Sequence, residues 1–305
     1  ETDDMMTRIN FGLPRALPTL LGIFALSVPG AAVCGEDIDK TLAMPADGLV
    51  AVENVAGTVE IETWDRAEVH IQGEAGRSVE EVEFASTSTG VQVRVINRKG
   101  EHRVDGTDLQ LRVPATANIE VETVSADLTL RGSRGETVVL RTVSGDLEVA
   151  ATPQRIDLHS VSGDVEFEGA AARSSFETVS GEITVVGAAG EISANTVSGD
   201  VTLEAGEVTQ GRFEAVSGDL ILSLSLAAGG RLACDSMSGD VKLSLPSAQQ
   251  AEFTAQSFSG DIHTDFGDSV RVSKGPGVML EHREGDNGAK IRLESFSGDI
   301  SIRSR

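Results

Sequence analysis

The tripeptide Ser-Gly-Asp punctuates the chain. It stands at Ser144-Gly145-Asp146, Ser162-Gly163-Asp164, Ser198-Gly199-Asp200, Ser217-Gly218-Asp219, Ser238-Gly239-Asp240, Ser259-Gly260-Asp261 and Ser297-Gly298-Asp299. Ser125-Ala126-Asp127 and Ser180-Gly181-Glu182 are degenerate copies. The serines recur every 18 to 21 residues, with one gap of 38 between Ser259 and Ser297 that reads as two steps of 19. A fixed period of this size belongs to repeat architectures, in which each unit buries its apolar face only against its neighbours.

Both flanks of the motif alternate with period two, the pattern of strands with one buried face. Four residues before the serine stand Val121, Leu140, Leu158, Phe176, Ala194, Phe213, Cys234, Ala255 and Leu293. Directly after the acid stand Leu128, Leu147, Val165, Ile183, Val201, Leu220, Val241, Ile262 and Ile300. Two residues further on, the series runs from Leu130 and Val149 to Thr264 and Ile302. Each period therefore reads as strand, corner, strand, second turn. The expected fold is all-β, a single-stranded parallel β-helix (β-solenoid) with about 19 residues per coil. Parallel crossovers are nearly always right-handed, and the same hand is expected here.

The motif itself reads as a structural turn. Glycine permits a positive φ at a sharp corner, and serine and aspartate side chains bond turn backbone that the ladders leave unpaired. The sharper alternative is a line of carboxylates, Asp146, Asp164, Asp200, Asp219, Asp240 and Asp261, binding Ca²⁺. Calcium β-rolls use a nine-residue Gly-rich repeat. One acid per 19-residue coil fits that chemistry poorly, so no metal and no cofactor are expected.

The formal charge of −23 argues against a nucleic-acid partner and against anionic head groups. Near the start, after the more plausible initiator Met6, Arg8 and Arg15 precede an apolar run from Ala16 to Val28 and the small residues Pro29-Gly30-Ala31-Ala32. That order reads as a secretory signal peptide over residues 1–34. No later run is long and apolar enough to span a membrane, so the mature chain is expected to have no transmembrane span and to reside in the periplasm or on the cell surface. Val33 before Cys34 disfavours lipoprotein anchoring. Cys234 falls at an inward position and reads as a buried free thiol.

Residues 35–113 are strand-rich without the crisp motif. Asn54 to Ile61 resembles a worn copy, and the segment is read as divergent coils and a cap, with a polar loop from Glu101 to Thr107. Residues 114–305 are read as the regular solenoid. Its one irregular stretch carries Gly275-Pro276-Gly277 and then Val278 to His282 and Ala289 to Leu293, which suggest a local hairpin or bulged coil. Arg303 and Arg305 are expected on an exposed edge, where charge discourages end-to-end pairing.

The run Gly57-Thr58-Val59-Glu60-Ile61-Glu62-Thr63-Trp64-Asp65, then Leu109 to Pro114 entering successive Thr-Val-Ser-Gly-Asp coils, resembles the DUF4097 family, whose members are labelled adhesins. The resemblance implies a β-helical envelope or surface protein, with some relatives accompanying envelope-stress systems. It carries no catalytic residues over.

Three function classes remain to be weighed. A binding or adhesion module contacting an envelope component or protein fits export and repeat architecture, although Trp64 is the only Trp and no aromatic cluster stands out. A self-associating scaffold, or an accessory protein of an envelope-stress system, is the alternative. An enzyme fits least. His70, His102, His159, His263 and His282 are scattered, and the carboxylates follow the repeat rather than forming one pair beside a cleft.

Overall fold

The computed structural model describes residues 37–98, 105–268, 270–271, 277–286 and 288–305. The leader with Cys34, the loop residues 101–104 including His102, and Gly275-Pro276 lie outside them. The described chain is all-β, with 23 strands joined in one hydrogen-bonded sheet.

Two parallel ladders meet at the Ser-Gly-Asp corner. In the ladder before it, Val121 pairs Leu140, Leu140 pairs Leu158, Leu158 pairs Phe176, Phe176 pairs Ala194, Ala194 pairs Phe213, and Phe213 pairs Cys234. In the ladder after it, Leu128 pairs Leu147, and Val165, Ile183, Val201, Leu220 and Val241 follow in turn. The inward members form one continuous apolar core, into which Phe167, Phe176, Phe213 and Phe253 are fully buried. Thr264, expected among them, is only half-buried. Register shifts fall at Gly190/Glu191, Glu204/Glu207 and Val208/Gln210, away from the corner. The far turn therefore absorbs changes of repeat length while the corner stays in register.

At both ends the spatial order departs from the chain order. Strand Leu49–Trp64 lies between strands Thr107–Pro114 and Asn118–Arg131, pairing parallel with both, so that Val59 faces Leu109 on one side and Leu128 on the other. At the other end, strands Ala289–Ser297 and Ile300–Ser304 slot between two coils already laid down. Leu293 pairs Cys234 and Ala255, and Ile300 pairs Val241 and Ile262. Two expectations are corrected here. Among the described residues the 38-residue gap holds no extra coil, and the coils of Ser259 and Ser297 are direct neighbours. Nor does the last coil end the stack: strand Ile300–Ser304 lies between Val241–Leu245 and Ile262–Thr264, although the second pairing stops at Ile302 and Arg303 and Arg305 are exposed.

The expected hairpin is corrected as well. Strands Val278–Glu284 and Ala289–Ser297 do not pair with each other; they sit on opposite sides of Ala251–Ser257, the first antiparallel and the second parallel. Antiparallel strands also close the other end, with Val79–Ser86 against Gly90–Asn97 and Glu68–Glu74 between Asp37–Ala43 and Thr107–Pro114. A reversed strand presents a hydrogen-bonding pattern that a further parallel coil does not match, which blunts an otherwise sticky edge.

Candidate functional site

The corner positions two parallel lines of side chains. The first is acidic. The N–H of Asp146 donates to Asp127 Oδ1 (3.1 Å), that of Asp164 to Asp146 Oδ1 (2.9 Å) and that of Glu182 to Asp164 Oδ1 (2.8 Å). The line continues with Asp219 to Asp200, Asp240 to Asp219, Asp299 to Asp240 and Asp261 to Asp299, at 2.8 to 2.9 Å. It begins in the lead-in, where Thr58 holds the aspartate position and its N–H donates to Asp108 Oδ1 (3.0 Å). Like charges one strand spacing apart in a water-like dielectric repel by about 1 kcal/mol. A hydrogen bond to a charged acceptor contributes roughly 1.5–3 kcal/mol, so the ladder outweighs the repulsion.

All six aspartates of the candidate calcium line therefore stand in one row, with Asp299 interposed between Asp240 and Asp261. In Asp146, Asp164, Asp200, Asp219 and Asp240 one oxygen already serves a backbone N–H. Among the described residues no group of three or more His, Cys, Asp or Glu side chains is arranged to hold a metal. Lys242 Nζ reaches Asp219 Oδ2 at 2.8 Å. Burial pushes the Asp219 carboxyl up, but the bonds from Lys242 and the Asp240 N–H outweigh it and the net shift is downward.

The glycine has a second reason beside the one expected. A Cβ on Gly163 would stand 2.1 Å from the Gly145 carbonyl oxygen, one on Gly181 2.2 Å from that of Gly163, and one on Gly218 2.0 Å from that of Gly199. The φ of Gly199, Gly218, Gly239 and Gly298 is 146–158°, a positive φ that side chains rarely adopt, while Gly145, Gly163, Gly181 and Gly260 are not among the positive-φ glycines. What the corner glycines share is the close approach of a neighbouring coil's carbonyl to the Cα. Beneath it the hydroxyls of Ser160, Thr178 and Ser257 donate to the carbonyls of Gly145, Gly163 and Gly298.

The second line is apolar and lies on the outside. The residue before each serine points outward by the strand's own parity. Val124, Val143 and Val161 are exposed (48, 48 and 43%), Val179 and Val197 half-buried, and Val216 exposed. The coil registers carry this line on to Met237, Phe296 and Phe258. Phe296 is 58% exposed and Phe258 43%, and their rings stack at 4.9 Å with 6° between planes. The line thus broadens from valine through methionine to a pair of aromatic rings at one end. Contiguous exposed apolar surface on an otherwise charged protein marks a contact surface.

The outward row on the other side of this ridge is charged. Asp235 lies between Glu214 and Glu294. Arg212 Nε donates to Glu214 at 2.7 Å and Arg292 Nε to Glu294 at 2.8 Å. Burial pushes the Asp235 carboxyl above its ordinary range, with Arg292 pulling the other way. Further along, a bond from His159 holds the Glu177 carboxyl below the usual range.

The description Toastrack DUF4097 matches residues 45–194 and 188–303. The chain belongs to the DUF4097 family. No curated protein matches it. Among solved structures, a Parabacteroides distasonis protein named for lipid binding is similar at 10% identity and TM-score 0.52, over 89% of this chain and 99% of that one. A Parabacteroides distasonis protein named as an adhesin aligns at 11% identity and TM-score 0.43, over 88% of this chain and 97% of that one. A Bacteroides fragilis protein so named aligns at 12% identity and TM-score 0.41, over 88% and 97%. The first of these likenesses is one of fold.

In this DUF4097 chain the described histidines are not brought together. His70 meets Asp39, His159 meets Glu177 and His282 meets Glu284, each at 3.1 Å, while His263 lies on the short strand Ile262–Thr264. Cys234 is a free, fully buried thiol between Phe213 and Leu293, and burial pushes its pKa far up. Two shallow polar depressions are present, one bearing His263, Asp268 and Arg303, the other Glu60, Glu62 and His70. The described residues include no helix long and apolar enough to cross a membrane. Sequence reasoning missed the aromatic pair, because Phe258 and Phe296 are far apart in sequence and meet only through the inserted coil. The available signal was the outward position itself, valine in coil after coil until Met237, Phe258 and Phe296.

Proposed function

We propose that this chain is an exported, non-enzymatic binding module of the bacterial envelope or surface, which contacts its partner through the apolar ridge ending in Phe258 and Phe296. The carrying observation is that ridge, exposed on a rigid stack of coils and broadest where two aromatic rings lie side by side. Fully burying one such ring contributes roughly 1.5–3 kcal/mol, and aromatic side chains are enriched among the few that dominate binding. The leader composition supports export. Pairing offsets of 18 and 19 residues, such as Leu147 with Val165 and Val201 with Leu220, support about 19 residues per coil, and the general preference of parallel crossovers supports a right hand. In this reading residues 35–113 are the divergent cap and 114–305 the regular body. The Ser-Gly-Asp residues hold the corner and bind no cofactor. A relative named for lipid binding and others named as adhesins are compatible with an apolar contact surface.

Co-sedimentation with an isolated bacterial envelope fraction tests this. The protein is expected to pellet only when the fraction is present, and the double variant Phe258→Ser, Phe296→Ser to remain in the supernatant with an unchanged melting midpoint. Pelleting without envelope would instead establish a self-assembling scaffold. Equal pelleting of parent and variant would remove the ridge from the mechanism.

A further inference from the structure

The ridge does not stand alone. Three residues beyond Val216, Met237, Phe296 and Phe258, round the same corner, come Asp219, Asp240, Asp299 and Asp261, in the same spatial order. Oδ1 of Asp219, Asp240 and Asp299 accepts the N–H of the next rung, so these acids are held in place before anything binds. A partner then meets a fixed charge pattern rather than one that must be ordered at its expense. Lys242 is the cation among them, 2.8 Å from Asp219 and 3.7 Å from Asp240. On the ridge's other side Asp235, whose ionised form burial disfavours, sits between Glu214 and Glu294, which Arg212 and Arg292 already hold. The apolar line is thus flanked by an acidic row on one side and, on the other, by a mixed row in which three acids meet two arginines.

We propose that this end of the ridge docks a cationic amphipathic helix of a partner protein, with apolar side chains on Met237, Phe296 and Phe258 and Lys or Arg side chains beside the acids. The proposal rests on the reading of the ridge as the contact surface and names what it contacts. Charge decides against two other occupants. A second copy would bring acid against acid in a chain of net charge −23, and an anionic lipid surface would do the same. Spacing decides the conformation. Rungs lie about 4.8 Å apart, so two steps span about 9.6 Å. Two turns of an α-helix span about 10.8 Å, while alternate residues of a strand advance about 6.8 Å per step. A helix laid along the ridge stays in phase over these three rungs, and an extended segment does not.

The probe is an 18-residue synthetic peptide of leucine and lysine patterned with helical period, compared with the same peptide bearing glutamine for lysine, by fluorescence anisotropy against the purified protein. The lysine peptide is expected to bind about tenfold or more tightly than the glutamine peptide at low salt, and to lose that margin as salt rises. Phe258→Ser with Phe296→Ser is expected to weaken it about tenfold or more. Asp240→Asn with Asp299→Asn, which keeps the accepting oxygen and removes only charge, is expected to weaken it and flatten the salt dependence. Equal binding of the two peptides, or binding of neither, overturns the proposal. So does a dimer in sedimentation velocity that Phe296→Ser dissolves. Flotation with zwitterionic phosphatidylcholine vesicles that needs both Phe rings, without peptide binding, overturns the helix while leaving the ridge as contact surface. Envelope pelleting that ignores the Phe variants removes the ridge itself, so the two failures are distinguishable.

Discussion

A single added carbon separates two explanations of the corner glycine. If φ were decisive, Gly218→Ala would be costly and Gly163→Ala mild, because only the former is among the positive-φ glycines. Carbonyl approach bears on both, at 2.0 and 2.1 Å, and Gly218 adds the strain of its positive φ. Both are expected to destabilise by roughly 2–4 kcal/mol in denaturant titration. Gly229→Ala, at φ 72° with nothing within 4 Å of the added carbon, is expected to cost only about 1 kcal/mol. At Glu182 the acid ladder falters. The longer side chain takes a bond from Thr184 Oγ1 (3.4 Å), and no bond from Asp200 N–H to it is among those described. Glu182→Asp is expected to complete the rung and stabilise by about 0.5–1.5 kcal/mol, read as a raised denaturation midpoint. Asp235 gives a pH signature. Its folded pKa lies above the ordinary 3.8, so the fold favours the neutral acid. That contribution is fully present below the ordinary value and is lost as pH rises through the folded one. Asp235→Asn is therefore expected to raise the melting midpoint at pH 7, with the difference vanishing near pH ~3.

At the scale of elements, the repeat made the strands, the corner and the inward rows legible from the sequence. Strict alternation around a fixed motif leaves one consistent face to bury, as Leu140, Leu158 and Phe176 illustrate in adjacent register. Which coil lies on which was not legible. Every coil presents an equivalent apolar row and an equivalent backbone edge, so Cys234 could be followed by Ala255 or by Leu293 with no change in pattern. Only the connection decides, and the turn of Gly277 toward the antiparallel strand Val278–Glu284 sends the chain back across strand Ala251–Ser257 before the coil of Leu293 forms. The same equivalence hid the site. Phe258 and Phe296 are 38 residues apart, and their stacking depends on that choice of neighbours. Ending the chain at Gly288 should therefore be far more damaging than starting it at Ala46. The first cut takes away a coil paired on both faces, the second a capping strand. Limited proteolysis and thermal melting of the two truncations would rank them.

Taken whole, the molecule is a stack closed at its ends by reversed strands, with one edge carrying an apolar line and an acidic line side by side. Replacing Leu203 with Asp, at 1% exposure in the middle of the stack, is expected to abolish cooperative melting, since an unpaired charge would enter a dry core. The inserted coil has a consequence for how such a chain is completed. A ribosome delivers residues in order, so everything up to strand Val241–Leu245 can close on itself as it emerges. The coil of Ala251–Thr264 then has only the reversed strand Val278–Glu284 beside it until residues 289–304 have been delivered and slipped in like a keystone. Until that moment both edges of the slot, and the two phenylalanines destined to stack, stay apart. A polypeptide cut short thus displays raw strand edges to the cell's proteases, and only the finished one brings the two rings together.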